Sequence, residues 1–191
     1  REQDSLSPPS FTILTAGGYA SSDFTSQQID GEWHHIVGTY DGTTTFVYVD
    51  GEPGVASTAQ SGPLTSVIGN VYIGVHGLGT VNPMNGSVDE VRISNTARSA
   101  EWIEASWLSQ NGSFAFTNFG PTAPAIWWDS EWLNATQITF DNSDSSEDLL
   151  DFPVLVSLAH PEVNFDLIQP NGADIRFVDG DGTLLEYEIE A

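Results

Sequence analysis

The chain has no cysteine and no lysine among its 191 residues, and a single methionine, Met84. Without a thiol there can be no disulfide staple, no thiolate metal centre and no cysteine nucleophile. No apolar run reaches the roughly 18 residues that a membrane-spanning helix needs, so no transmembrane helix is expected. Positive charge is scarce as well. Four arginines face 27 carboxylates, for a net charge of −23. A chain so acidic repels phosphate backbones and anionic lipid surfaces, so neither nucleic acid nor membrane insertion is expected. It opens on Arg1 rather than on methionine, which reads as a processed or excised product from which any signal peptide has gone.

What is present is enough for a core. Hydrophobic residues make up 39% of the chain, with six Trp and ten Phe, so disorder is not expected. The acidity admits three readings: a saline habitat, Ca²⁺-dependent assembly, or simple solubility. Uncompensated carboxylates repel one another, and divalent cations relieve that repulsion most directly.

The strongest local pattern is Gly31 to Gly51, GEWHHIVGTYDGTTTFVYVDG. Two runs of alternating β-formers flank Asp41-Gly42, and Asp50-Gly51 turns the chain again. Asp-Gly between alternating runs is a hairpin signal, and period two marks strands with one buried face. Further strands are expected near 11–15, 71–75, 87–93, 114–119, 136–141, 154–158, 175–179 and 184–189. A short helix is expected over Ala100–Gln110, with Ser99 as its N-cap. Many short strands and one helix give an all-β sandwich. Gly120 to Pro124, GPTAP, reads as a stiff linker.

The W-H-H-I-V-G-T-Y-D-G…V-Y-V-D-G pattern at 33–51, NVYIGVH at 70–76 and GSVDEVRISNTARS at 86–99 resemble laminin-G-like, concanavalin-like jelly-roll modules, especially those of prokaryotic secreted proteins. The absence of cysteine suits such a prokaryotic surface protein better than an animal one. From Trp127 onward, WLNATQITFDN and GADIRFVDGDGTLLEYEIE resemble an uncharacterised β-rich domain that accompanies these modules. The resemblances imply a concanavalin-like β-sandwich (jelly roll) over 1–111, a linker over 112–126, and a second, partial β-sandwich domain over 127–191. They also imply that the first module lacks most of the strands its family shows before the W-H-H strand, and that the second stops where its family continues.

Candidate chemistry is sparse. His34 and His35 are adjacent on a strand and point to opposite faces, so they cannot chelate one metal together. They read as one surface and one half-buried histidine. Glu186, Glu188 and Glu190 line one side of an expected strand at about 7 Å spacing, a geometry glycosidases use, yet also that of a solvated strand face. Asp179-Gly-Asp181-Gly places two carboxylates in a Gly-rich turn, as Ca²⁺ loops do and as plain turns do. The laminin-G resemblance implies Ca²⁺ at Asp89, although its usual partners lie in the strands expected to be lacking. Asp141 and Asp144, with Asp148, form a further acidic candidate. Asn85, Asn111 and Asn134 head N-x-(S/T) sequons. Trp102, Trp107, Trp127 and Trp128 could stack on sugars if exposed, or anchor cores.

Three functions follow as expectations. One is a non-catalytic extracellular structural subunit, sharing strands with other copies of itself or with adjoining segments of a larger surface protein, stabilised by Ca²⁺ as a filament, tube or surface layer. The second is a carbohydrate-binding or adhesion module with glycans as partners. The third, a glycosidase, would rest on Glu188.

Overall fold

The structure is a computed structural model that describes residues 8–26, 30–66, 70–75, 84–112, 116–123, 128–129, 131–143, 145–150, 152–158 and 163–189. It divides into two compact units, Arg1–Trp107 and Leu108–Ala191.

In the first unit, β1 (Ser10–Thr15) and β2 (Gly18–Asp23) form one antiparallel hairpin, in register from Ser10↔Asp23 to Thr15↔Gly18. A second sheet takes β3 (Ile36–Tyr40), β4 (Thr45–Val49) and β5 (Glu52–Pro53) in that order. The first hairpin packs on the β3–β4 face. The core lies between them: Ile13, Ala20, Val47 and Val49 are buried, as are Thr15, Ser22 and Thr45.

Both Asp-Gly turns form for local reasons. Asp41 caps the β3–β4 loop, its Oδ1 accepting the N–H groups of Thr43 at 2.8 Å and Thr44 at 2.7 Å. Asp50 and Gly51 connect β4 to β5 as a two-residue loop with φ of 53° and 83°. Two consecutive left-handed residues match the right-handed twist of the flanking strands, which is why Asp-Gly suits this position.

Beyond β5 the chain crosses from one sheet to the other. Gly54 N–H donates to Val47 O at 2.7 Å, and Val55 N–H to Asp23 O at 2.9 Å. Ser22, 1% exposed, completes the join: its hydroxyl donates to Val55 O at 2.7 Å and accepts Val47 N–H at 2.8 Å. A Cβ on Gly54 would lie 2.8 Å from Asp23 O, so only glycine allows the two sheets this approach.

The helix α1 (Ala100–Gln110) starts where expected. Ser99 Oγ accepts Trp102 N–H at 3.1 Å. Ile103 is fully buried, and Glu104 and Trp107 lie against the Asp50-Gly51 turn.

Two expected strands do not pair. Residues 71–75 and 87–93 belong to no sheet, and Val71, Ile73, Val88, Val91 and Ile93 are exposed. Glu90 has a left-handed φ of 52°, which interrupts the second run. Alternation supplies the apolar face but not a neighbour to pair with, and no described strand pairs with these segments. Conversely, the run GYASSD carries little strand signal yet forms β2, because pairing with β1 decides it.

Among the described residues, the second unit holds two hairpins. β6 (Thr117–Ala123) pairs with β7 (Ala135–Phe140), with a register shift between Phe119 and Thr122. β6 thus runs through the stretch expected to be linker. Phe116, 2% exposed, anchors this hairpin against the rings of Phe140 and Phe152, at 6.2 and 5.9 Å. β8 (Phe177–Val178) and β9 (Leu184–Leu185) form a short hairpin, shorter than the two strands expected there. Residues 154–158, also expected as a strand, are unpaired. The described elements are β-strands with a single α-helix and two 3₁₀ turns, the all-β class expected.

Candidate functional site

A polar constellation in the first unit surrounds His34, just ahead of β3. Its Nδ1 lies 2.7 Å from Asp50 Oδ2 and its Nε2 lies 3.0 Å from Asp30 Oδ1. Asp50 is positioned by its left-handed turn, and its other oxygen accepts His35 N–H at 2.9 Å. Asp30 Oδ1 also accepts Glu32 N–H at 3.0 Å. The His34 side chain is 15% exposed. The carboxylates of Asp50 and then Asp30 raise its affinity for a proton above that of an ordinary imidazole. Asp30 is held below the usual carboxylate range, first by Glu32 N–H and then by His34.

His35 takes the half-buried role. It stacks on Trp107 with centroids 6.4 Å apart, and burial pushes its proton affinity down, opposed by Asp50 and assisted by Arg92. The two histidines point apart, as strand geometry requires, and no single metal could bridge them. Asp30 and Asp50 were not singled out as His34's partners from the sequence. Each precedes a glycine, and Asp50-Gly51 was expected as a turn, a signal for the turn but not for what the carboxylate meets.

The acidic candidates are occupied by their own turns. Asp179 Oδ1 accepts Gly180 N–H at 2.6 Å, and Asp181 Oδ1 accepts Thr183 N–H at 2.8 Å. Asp89 Oδ1 accepts Glu90 N–H at 2.9 Å, and Asp141 Oδ1 accepts Ser143 N–H at 2.9 Å. Asp148 lines an open cavity beside Phe116, Phe140 and Phe152, and Asp144 lies outside the described residues. Among the described residues, no three His, Asp or Glu side chains converge as a cation shell requires. As arranged, the carboxylates of Asp89, Asp141, Asp179 and Asp181 accept hydrogen bonds from N–H groups of their own turns.

Glu186 and Glu188 are exposed beyond β9, outside any strand, and Glu190 lies outside the described residues. Tyr187 between them, itself exposed, donates its hydroxyl to Ile175 O at 2.5 Å and sets its ring against Phe177. Asn85, Asn111 and Asn134 are all exposed in loops or turns. The tryptophans chosen as sugar platforms are largely covered: Trp102 lies under the Arg98 guanidinium at 4.6 Å, and Trp128 packs on Trp132 at 5.5 Å. Trp127 lies outside the described residues. Among the described tryptophans, Trp33 is the exposed one, at 66%.

A laminin-G profile, described as the concanavalin A-like lectin/glucanases superfamily, matches residues 3–104. The chain belongs to this superfamily. The match covers the two stitched sheets, the unpaired 71–75 and 87–93 segments and the first turn of α1. Among solved structures, the chain is similar to a crystal structure of an S-layer domain-containing protein from Clostridium thermocellum, at 20% identity and a TM-score of 0.39. The similarity covers 56% of this concanavalin-like chain and 66% of that one, just under two thirds of its length. No curated protein matches the chain.

Proposed function

We propose that this concanavalin-like chain is a non-catalytic structural module of the cell surface that completes its sheets with strands from a neighbouring copy. The observation carrying this reading is the pair of strand-patterned segments left outside any sheet. Ile93 is 87% exposed, Val71 79% and Ile73 58%, and the backbone of both segments lacks a ladder. Exposed edges and apolar stripes of this kind are costly in isolation and favourable once another strand is added. A contact between unlike surfaces is head-to-tail, so it propagates as a filament or sheet when its rotation does not close.

The experiment is sedimentation of the full chain over a concentration series, with Ca²⁺ and with chelator. Concentration-dependent assembly is expected. Ile93→Asp, at an exposed position, is expected to weaken it at least tenfold without lowering the melting temperature. A monomer at micromolar concentration in Ca²⁺ would overturn the proposal.

Calcium belongs to this reading as the counter-ion of a chain with net charge −23. Tight binding at Asp89, Asp141, Asp144, Asp179 or Asp181 stays a proposal, tested by calcium titration calorimetry against Asp181→Asn. Glycosylation at Asn85, Asn111 or Asn134 is likewise a proposal, read as added mass on the native protein.

A second reading, glycan adhesion, is favoured by Trp33. An exposed indole near the carboxylates of Asp30 and Glu32 offers a stacking face and hydrogen-bond acceptors, the two things a sugar ring uses. Glycan-array binding lost in Trp33→Ala would support it; a blank array would count against it.

A further inference from the structure

We propose that His34 is a proton-operated latch that ties the approach to β3, Asp30 to His35, onto the β4–β5 turn. The inference stands apart from the assembly reading, since it concerns the inside of one copy.

The geometry requires a charged ring. Each imidazole nitrogen faces a carboxylate oxygen, at 2.7 Å from Asp50 and 3.0 Å from Asp30. An ionised carboxylate only accepts hydrogen bonds, so both contacts are satisfied only when both nitrogens carry hydrogen. A neutral imidazole has one N–H and one lone pair, and the lone pair would face an oxygen at contact distance. One of the two contacts must then open.

The asymmetry of the site selects which one. Asp50 is held from three directions: its left-handed turn, His35 N–H on its second oxygen, and α1 lying against Gly51. Asp30 has a side chain 55% exposed, and apart from the ring it is engaged by the N–H of Glu32. Deprotonation therefore releases Asp30 and keeps Asp50. The segment freed carries Trp33, so the exposed indole is held in one place at acidic pH and let go at alkaline pH.

The surroundings reinforce the proton. The charged groups acting on the ring are Asp50 and Asp30, and Glu104 of α1 lies over Gly51 beside the turn. His35 points the other way under Trp107. The positive charge felt there is Arg92, which is itself paired with Glu90. The raised proton affinity of His34 agrees in direction. A group raised in the folded state adds stability below its ordinary 6.5 and loses it as pH rises through the folded value.

The test is long-range ¹H–¹⁵N correlation of the imidazoles in the ¹⁵N-labelled full chain from about pH 5 to about pH 9, the range in which histidine titrates, with amide-exchange protection factors for residues 30–35 at each point. The expected result is a doubly protonated His34 at the acidic end, a midpoint above that of His35, and protection that falls as His34 loses its proton. Asp30→Asn, at an exposed position, is expected to move the His34 midpoint down and flatten the protection profile. Asp50→Asn keeps a residue tolerant of the left-handed turn and is expected to lower the midpoint too. A His34 midpoint at or below that of an ordinary imidazole would overturn the latch. So would protection that ignores the titration of His34.

Discussion

Ser22 has two hydrogen bonds to lose and nothing to replace them. Its hydroxyl serves Val55 O and Val47 N–H, and Ser22 itself is 1% exposed, so Ser22→Ala takes the acceptor from the buried Val47 N–H and a donor from the part-buried Val55 O. The expected cost is about 1–3 kcal/mol, read from urea melting of the full chain, and no loss would refute the stitched corner. Gly38→Ala tests packing at the same scale. An added Cβ would stand 2.2 Å from the Phe11 ring, against atoms near its root, so neither residue can yield cheaply. Overpacking of this kind costs about 1–3 kcal/mol, and the same measurement checks it. Neither residue announces itself in the sequence. Serine in a run such as GYASSD looks like turn material, and Gly38 looks like a weak point in a strand. Asp50-Gly51, in contrast, was readable because its reason is local: a two-residue turn demands left-handed backbone, and these residues supply it.

At the scale of elements, the helix was legible from end to end and the strands were not. α1 carries its own start signal, and Ser99→Ala is expected to cost about 0.5–2 kcal/mol, visible as a lower melting temperature. An unchanged melting temperature would mean that the cap contributes nothing. The helix was readable because its hydrogen bonds close within the segment. A strand needs a partner that sequence pattern does not name. The 36–49 hairpin found one through its own turn, and the runs at 71–75 and 87–93 did not. The stretch expected to be linker, in turn, became β6 because β7 lay within reach to pair with it.

Across the whole molecule, charge governs the response to pH. Asp30, Asp41, Asp141 and Asp181 are all held below the ordinary 3.8, mostly by turn N–H groups and, at Asp141, first by the Ser143 hydroxyl. Lowered carboxylates contribute stability that is complete above 3.8 and lost as pH falls through their folded values. His34 contributes in the opposite sense, below 6.5, while His35 works against it there. Protonation of the remaining carboxylates on approach to the pI near 4.1 also relieves the repulsion of a −23 chain. A melting-temperature maximum is therefore expected on the acidic side of neutrality, with a steep fall below 3.8. A maximum at alkaline pH would contradict this balance. At neutral pH, Ca²⁺ is expected to raise the melting temperature more than NaCl of equal ionic strength.

The amino-acid order alone determined the all-β class, the superfamily hairpin, both Asp-Gly turns and the capped helix, since each rests on hydrogen bonds or periodicities within a few residues. Only the tertiary structure decided that Ser22 and Gly54 join two sheets, that His34 sits between two carboxylates, and that two strand-like runs stand exposed. Those outcomes depend on which distant segments come together, and a pattern with period two states a face without naming the neighbour that covers it.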